Sequence, residues 1–290
     1  MAKSDNYKII DILTSLSKRR GFVFQSSEIY GGLASTWDYG PLGVELKRNI
    51  KEMWWKSIVK SNDNVVGMDA SILMHPKVWE ASGHVENFHD PLIDNKETKK
   101  RYRVDHLLED QEDDIIEALL LNFELKNNYE SSDDCFQAII SKLMDTENSG
   151  EIMKGCRVID PFNKNVGDWT DLRQFNLMFK THMGPVQKSG SEIYMRPETA
   201  QGIFVNYLNV QSTARQKLPF GIAQIGKAFR NEITTGNFIF RTREFEQMEM
   251  EFFCHKDDTK KWLKHWSEER LSWFKNLGIN ESKLRLRAHG

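Results

Sequence analysis

The stretch PFGIAQIGKAFRNEITTGNFIFRTREFEQMEMEFF, residues 219–253, predicts two long strands that pair as an antiparallel hairpin. Apolar and aromatic residues recur in PFGIAQIGKAFRNE and again in FIFRTREFEQMEMEFF, as expected of strands. Between them, residues 234–237 read Thr-Thr-Gly-Asn, which is a turn signal. The rest of the fold is predicted outward from this hairpin.

The second predicted strand has one apolar face and one charged face, because residues two apart share one side of a strand. Met248, Met250 and Phe252 project to one side and are expected to contact the core. The residues of the other side are Arg241, Arg243, Phe245, Gln247, Glu249 and Glu251. A solvated sheet face is the ordinary interpretation of such a charged side.

The end of the first predicted strand favours a second interpretation of this charged side. It reads Phe229-Arg230-Asn231-Glu232 and places further charges beside Phe245. Guanidinium groups bind phosphate in pairs of hydrogen bonds, aromatic faces stack on purines, and carboxylates accept from amines. The pattern therefore predicts a pocket for a nucleotide and an amine. Because the chain has neither GxxxxGK[ST] nor GxGxxG, phosphate binding would depend on arginines.

Helical spacing of apolar residues occurs on both sides of the hairpin. Residues 5–20 predict an opening helix that ends near Gly21, with an apolar stripe of Ile9, Ile12, Leu13 and Leu16. Residues 43–59 predict a helix whose apolar face is Leu46, Ile50, Met53 and Trp54. Residues 260–279 predict a helix whose apolar side is Trp262, Leu263, Trp266, Leu271 and Phe274.

Trp54 and Trp55 are adjacent and cannot both face one core. One of them is a candidate for a contact between subunits. Packing under a neighbouring loop of the same chain is the equal alternative.

An acidic segment interrupts the pattern, since Asp105 to Asp134 contains eleven acidic residues and one lysine. Apolar residues at helical spacing remain within it, namely Ile115, Ile116, Leu119 and Leu120. The shift in composition predicts an inserted, solvent-facing helical subdomain over residues 104–150.

Composition excludes several classes of protein. The 290 residues are 39% hydrophobic and 28% charged, the balance of a globular protein, and the net charge of -2 argues against broad coating of nucleic acid. No signal peptide and no run of about 18 apolar residues is present, so we expect a cytoplasmic chain without a membrane span. The widely spaced Cys135, Cys156 and Cys254 predict free thiols.

The hairpin residues resemble a known family. Phe229-Arg230-Asn231-Glu232 followed by Arg241-x-x-x-Phe245-x-x-x-Glu249 is similar to motif 2 of class II aminoacyl-tRNA synthetases. SSEIYGGLASTWDYGPLGVELKRNIKEMWW, residues 26–55, resembles motif 1 of the glycyl enzymes, and MRPETAQGIF, residues 195–204, resembles their amino-acid-binding loop. The resemblance implies an α+β fold with an antiparallel sheet flanked by helices. It assigns the catalytic core to residues 1–103 and 151–254, and a further helical segment to 255–290.

The resemblance also implies roles for individual residues. Arg230 would hold the α-phosphate of ATP, Arg241 the γ-phosphate, and Phe245 would stack under the adenine. The remaining residues of the implied ATP site are Asn231, Glu232, Phe240, Thr242, Arg243 and Glu244. Glu198 would bind the ammonium group of glycine, and the implied glycine pocket also contains Arg103, Phe245, Glu246, Gln247, Met248 and Glu249. Without the resemblance, Arg103 would be an ordinary surface arginine.

The implied activity is that of a glycine–tRNA ligase with ATP, glycine and tRNA(Gly) as substrates, Mg²⁺ accompanying ATP, and a homodimer formed around Pro41 and the helix after it. No zinc is predicted, because residues 94–100 contain no cysteine. The family's motif 3 and anticodon-binding domain have no counterpart before Gly290. We therefore expect a fragment that forms adenylate more slowly than the full enzyme.

Two alternatives stay open beside this activity. One is a non-catalytic synthetase-like protein that dimerises and binds RNA. The other is a synthetase for serine, alanine or another small amino acid that shares motif 2 alone.

Overall fold

The computed structural model describes residues 2–125, 129, 131–184, 191–233 and 238–287. The chain forms two compact units, one from residues 1–78 and 178–290 and one from residues 79–177. The predicted turn at residues 234–237 lies outside the described residues. In the described part of the chain, no helix is both long and apolar enough to cross a membrane.

The elements follow one another along the chain as follows. Before the second unit come α1 (Ala2–Arg19), β1 (Val23–Gln25), β2 (Trp37–Tyr39), α2 (Pro41–Trp55) and β3 (Val65–Gly67), and α3 (Pro76–Ala81) contains the boundary at residue 79. Within the second unit lie α4 (His84–Asn87), β4 (His89–Asp94), β5 (Arg101–Arg103), α5 (Val104–Glu109), α6 (Asp113–Asn122), α7 (Ser132–Met144), α8 (Ser149–Gly155) and β6 (Arg173–Asn176). The first unit resumes with β7 (Lys180–Met183), β8 (Ser191–Tyr194), α9 (Ala200–Val205), α10 (Tyr207–Thr213), β9 (Phe220–Phe229), β10 (Glu244–Phe253) and α11 (Thr259–Asn276).

The predicted hairpin is the centre of the first unit. β9 and β10 pair antiparallel over their whole length, from Phe220 opposite Phe253 to Phe229 opposite Glu244. β3 extends the sheet on the other side of β9 and runs parallel to it. The predicted α+β class is confirmed, with a mixed sheet at this edge.

The second predicted strand begins later than the sequence indicates. Residues 238–240 form a 3-10 turn, and Phe238 has a φ of 59°, a left-handed conformation that cannot continue a strand. Regular pairing therefore starts at Glu244.

The apolar face of the hairpin packs on the core of the first unit, as predicted. Met248, Met250 and Phe252 contact a cluster that includes Trp54 and Trp273. Trp55 joins the same cluster, and its ring occupies the space above Gly67, where an added Cβ would lie 2.4 Å from it. The prediction that Trp54 and Trp55 cannot both face one core is therefore wrong, because both pack in one cluster; this favours packing within the chain over a contact between subunits.

The predicted helices α1, α2 and α11 are present, but their apolar residues are not all buried. All four apolar residues of the α1 stripe are largely exposed, as are Leu46 and Met53 of α2. On α11, Leu263 and Phe274 are exposed and Trp273 is buried instead. Trp266 of α11 packs against Phe252, with ring centroids 5.3 Å apart, so the position of the sheet selects the buried side.

The second unit has its own core, built from α5 to α8 around the buried Trp169. Ile115, Leu119 and Leu120 are buried and Ile116 packs against them, as their helical spacing predicts. Several acids lie in the first turns of α6 and α7, where the helix dipole stabilises negative charge. The predicted insertion at residues 104–150 lies inside this unit. Cys135, Cys156 and Cys254 are free thiols.

A fully buried carboxylate, that of Asp160, fixes the turn at residues 95–98 of the second unit. It accepts hydrogen bonds from Asn95 Nδ2 at 2.7 Å, Thr98 Oγ1 at 2.8 Å, the amide of Phe162 at 2.8 Å, and the hydroxyl of Tyr102. Burial would by itself raise the pKa of the Asp160 carboxyl, but the hydrogen bonds, first that from Tyr102, lower it below the ordinary value.

We expect Asp160→Ala to lower the free energy of unfolding by about 3 kcal/mol or more, because four hydrogen bonds to a charge are lost and their donors stay buried. Since the native pKa is lowered, the contribution is present above the ordinary carboxyl pKa and is lost as pH falls through the native value. Urea denaturation at several pH values measures both effects.

Asp168→Ala is the matched control, because the Asp168 carboxylate is more exposed and pairs with Lys154 at 2.9 Å. A much smaller loss of unfolding free energy is expected for it, because solvent screens an exposed ion pair. Equal losses of unfolding free energy in the two variants would show that the hydrogen bonds to Asp160 stabilise the fold no more than the ion pair of Asp168 does.

Candidate active site

The polar face of the hairpin contains large side chains on β10 and small ones on β9. Gln247 lies opposite Gly226, and Phe245 lies opposite Ala228. Residues directly opposite on an antiparallel pair share one face, so the small partners leave space beside the β10 side chains. Further along, Glu249 lies opposite the buried Gln224.

The other face of β10 carries Glu246 and Met248, two residues of the predicted glycine pocket. Glu246 forms ion pairs with Lys47 at 2.7 Å and Lys51 at 3.2 Å on α2, and Met248 packs against the core. Burial would raise the pKa of the Glu246 carboxyl, but the two lysines lower it. The structure does not bring these two side chains together with Gln247 and Glu249.

The Glu249 carboxylate receives hydrogen bonds on both oxygens. The amide of Thr199 donates to Oε2 at 3.1 Å, and the Thr199 hydroxyl donates to the same oxygen. Gln247 Nε2 donates to Oε1 at 3.3 Å. The Oε1 atom of Gln247 is buried and has no donor among the described residues. A buried acceptor without a donor favours a ligand that carries N–H groups.

Two carboxylates, those of Glu249 and Glu198, lie close enough to Glu251 to act on its charge. Burial raises the pKa of Glu251 above the ordinary carboxyl value, and the negative charges of Glu249 and Glu198 raise it further. Glu198 follows Pro197 in the loop before α9, so the loop and β10 together form an acidic wall. Such a wall attracts a cation.

A buried arginine connects this loop to the sheet. Arg196 is 1% exposed, and it donates from Nε to the carbonyl of Lys227 at 2.6 Å and from Nη1 to the carbonyl of Ala70 at 2.7 Å. An added Cβ on Gly226 would lie 2.3 Å from Arg196 Nη2, so glycine makes the approach possible. Burial lowers the pKa of the Arg196 guanidinium.

The arginine and aromatic residues predicted to bind a nucleotide lie at the end of the same face. The guanidinium carbon of Arg230 is 5.4 Å from the centre of the Phe245 ring, and Arg230 Nε donates to the carbonyl of Pro197 at 3.1 Å. Arg241 is half exposed, and its Nε lies 3.8 Å from Glu232 Oε2. A planar ligand on Phe245 would thus have guanidinium groups beside it.

Arg243, another residue of the predicted ATP site, donates hydrogen bonds to two backbone carbonyls. Its Nε donates to the carbonyl of Glu232 at 3.1 Å, and its Nη1 donates to the carbonyl of Ala34 at 3.2 Å. These bonds tie the start of β10 to the loop before β2. Its ATP contact remains a prediction.

The other predicted residues of the ATP side surround this end of β10. Phe240 is exposed, Thr242 Oγ1 donates to the carbonyl of Glu244 at 2.9 Å, and Glu244 pairs with Lys227. Asn231 is partly buried directly after β9. Glu244 shares its side of β10 with Glu246, whereas Phe245 projects to the other side, so the structure does not bring the Glu244 side chain beside Phe245.

Arg103 of the predicted glycine pocket belongs to the second unit. Its guanidinium forms ion pairs with Asp90 at 3.1 Å and Asp105 at 2.6 Å. Its assignment to glycine remains a prediction.

Arg196, Thr199 and Gln224 have no role that the sequence predicts. All three are buried polar residues. A glycine within a strand, such as Gly226, is the signal that a side chain or backbone approaches closely at that point. Within the described residues, no group of three or more His, Cys, Asp or Glu side chains is arranged to hold a metal ion.

Comparisons with known proteins identify both units. The tRNA synthetase class II core domain (G, H, P, S and T) matches residues 179–290, and the glycyl-tRNA synthetase insertion domain 1 matches residues 90–177. A glycine–tRNA ligase of Macrococcus caseolyticus is 51% identical over 282 residues, which are 97% of this chain and 57% of the relative. A glycine–tRNA ligase of Staphylococcus aureus matches with the same identity and coverage. The chain thus spans little more than half the length of these relatives.

A solved structure supports the fold alone. The crystal structure of the RNA binding domain of threonyl-tRNA synthetase from Cryptosporidium parvum Iowa II aligns with a TM-score of 0.51 and 13% identity. The alignment covers 91% of this chain and 42% of the other.

We expect Glu251→Gln to raise the melting temperature at neutral pH by about 2–4 °C, the shift that roughly 1 kcal/mol produces. Because the native pKa of Glu251 is raised, the folded chain holds this proton more tightly than the unfolded chain. The associated stability is full below the ordinary carboxyl pKa and is lost as pH rises through the native value. The gain should therefore vanish at acidic pH.

Glu244→Gln serves as the control on the same strand, because Glu244 pairs with Lys227 and gains nothing from neutralisation. Thermal unfolding at acidic and neutral pH compares the two variants. A gain in Glu251→Gln that does not depend on pH would contradict the explanation.

Proposed function

Since the chain belongs to the glycyl-tRNA synthetase family of class II synthetases, we propose that it carries the ATP and glycine sites of a glycine–tRNA ligase. The observation that carries the proposal is the arrangement of one sheet face. Phe245 and Arg230 lie together at one end of this face, and the side-chain oxygens of Gln247 and Glu249 lie further along the same strand. A nucleotide and an amine are the ligands that match the two parts.

The proposed reaction joins glycine to ATP and then to RNA. The glycine carboxylate attacks the α-phosphorus of ATP, giving glycyl-adenylate and pyrophosphate. A ribose hydroxyl at the end of tRNA(Gly) then attacks the carbonyl carbon of glycyl-adenylate, so that an ester forms, AMP leaves and the hydroxyl proton is released to solvent. No general base is needed in the first step, because the carboxylate is already ionised at neutral pH. Catalysis consists of positioning and of charge stabilisation.

The nucleotide part of the site has the following proposed roles. Phe245 stacks under the adenine, and Glu232 with backbone groups near Asn231 and Phe240 contacts its edge. Arg230 stabilises the charge that develops on the α-phosphate, and Arg241 binds the γ-phosphate. Mg²⁺ would enter the site bound to ATP. The roles given to these residues need no additional metal ion that is bound only by protein side chains.

The amine part of the site selects glycine. Its ammonium group has three donors, and Glu198, Glu249 and Gln247 Oε1 supply acceptors on the adjoining walls. An added methyl group would overpack a pocket closed by these side chains, at a cost of about 1–3 kcal/mol. Serine and alanine are therefore expected to be activated poorly.

A non-catalytic synthetase-like protein remains the alternative from another class. It would have no need of an intact pocket, whereas Arg230, Phe245, Glu249 and Glu198 are all present.

We also propose that the protein acts in the cytoplasm, because its proposed substrate is tRNA.

Binding of glycyl-sulfamoyl-adenosine, a stable analogue of glycyl-adenylate, tests the site in this chain directly. Calorimetry should show tighter binding than for the alanyl analogue. Arg230→Ala should weaken binding of the glycyl analogue about ten- to hundredfold, because a charge-assisted hydrogen bond is lost.

Arg215→Ala is the control for this loss, since Arg215 is an exposed arginine away from the hairpin. Equal binding of the glycyl and alanyl analogues would argue against a glycine site. No binding of either analogue would support the non-catalytic alternative.

We also propose a homodimer through the region of Pro41 and α2. Pro41 is the first residue of α2, and Leu42, Leu46 and Met53 on this helix are exposed in the single chain. A second copy would remove this apolar surface from water.

Leu46→Glu is expected to shift the protein to monomer, because it places a charge in the proposed interface. Light scattering coupled to size-exclusion chromatography measures the mass. Leu208→Glu on α10 alters another exposed leucine and should leave the mass unchanged. A wild-type chain that is already monomeric at high concentration would contradict the dimer.

A further inference from the structure

We propose that Thr199 is a positioning residue that sets the Glu249 carboxylate to receive the ammonium group of glycine; this inference rests on the proposed function. Thr199 is fully buried and lies directly before α9. Both of its donors, the backbone amide and the hydroxyl, go to the same atom, Oε2 of Glu249. A buried threonine whose two donors converge on one side-chain oxygen is arranged to orient that side chain.

Thr199 is itself held in place from the sheet. Gln224 Nε2 donates to the carbonyl of Thr199 at 3.1 Å, and Gln224 Oε1 accepts from the amide of Ala70 at 2.6 Å. Gln224 stands directly opposite Glu249 in the pairing of β9 and β10. Thr199, Gln224 and Glu249 are therefore linked in a closed circuit: Thr199 donates to the Glu249 carboxylate, Gln224 donates to the Thr199 carbonyl, and the backbones of Gln224 and Glu249 are neighbours in the paired strands.

The circuit leaves one part of Glu249 for a ligand. Oε2 is occupied by the two donors of Thr199, whereas Oε1 receives one hydrogen bond, from Gln247. A carboxylate oxygen can accept more than one hydrogen bond, so Oε1 retains acceptor capacity beside Gln247 Oε1, which has no donor in the part of the chain that the structure describes. Two acceptors at adjoining positions fit one ammonium group.

Thr199 also opposes the repulsion among the carboxylates of the pocket. Glu249 and Glu198 are both close enough to Glu251 for their charges to raise the pKa of its carboxyl group. Without the two donors on Oε2, the Glu249 side chain would rotate away from its neighbours, and the pocket would lose its fixed acceptor. Thr199 therefore acts through Glu249 and does not touch glycine.

Thr199→Val tests this role, because valine keeps the shape and the backbone amide and removes the hydroxyl. Affinity for glycyl-sulfamoyl-adenosine should fall about tenfold, the effect of one hydrogen bond to a charged group. Affinity for adenosine 5′-sulfamate, which lacks the glycyl group, should not change. In glycine-dependent pyrophosphate exchange, the KM for glycine should rise while the KM for ATP stays constant.

A double-mutant cycle separates positioning from general stability. In a Glu249→Gln background, Thr199→Val should cause little further loss, because no carboxylate remains to be oriented. A full and additive tenfold loss in that background, or an unchanged affinity of Thr199→Val alone, would overturn the inference. Thermal unfolding of each variant confirms that folded proteins are compared.

Thr199→Ser and Thr199→Ala form a second pair that differs only in the hydroxyl, for use if valine prevents folding. Serine should retain the affinity for the glycyl analogue and alanine should lose it; equal affinities would overturn the inference. The failure of the proposed function has a different signature. In that case the wild-type chain itself would bind adenosine 5′-sulfamate and the glycyl analogue equally.

Discussion

The register between β9 and β10 is the constraint on which the candidate site depends. Ten residue pairs, from Phe220 with Phe253 to Phe229 with Glu244, place Phe245, Gln247 and Glu249 on one face. A shift by one residue would turn these side chains into the core and expose the methionines between them. The packing of Met248, Met250 and Phe252 on the core tryptophans therefore selects the register and, with it, the polar site.

Buried polar residues extend this order from the sheet to the loop that precedes α9. Arg196 and Gln224 hold backbone groups of Ala70, Thr199 and Lys227 through hydrogen bonds of 2.6 to 3.1 Å. Buried polar groups are costly unless they are paired, so each pairing restricts where the loop can lie. These hydrogen bonds hold the loop in one position, although it has no regular secondary structure.

The sequence predicts the hairpin well, because the alternation of polar and apolar residues in β10 depends only on local geometry. It does not predict that Arg243 binds the carbonyls of Ala34 and Ser35, because these residues are far away in the chain. Nor does it predict that Phe238 is left-handed and packs its ring on that of Trp37. The helices show the same limit. An apolar stripe such as that of α1 reveals helical spacing but not whether the stripe faces the core or the surface.

The second unit illustrates how a large insertion is accommodated. Its first long strand, β4, pairs with its last, β6, so that His89 lies opposite Asn176 and the chain enters and leaves side by side. Its core draws on residues of the unit itself. Because the two ends are already adjacent, removal of the intervening residues would need only a short bridge between them. Because its ends are adjacent, the unit is suited to being inserted, replaced or deleted as one continuous stretch of coding sequence.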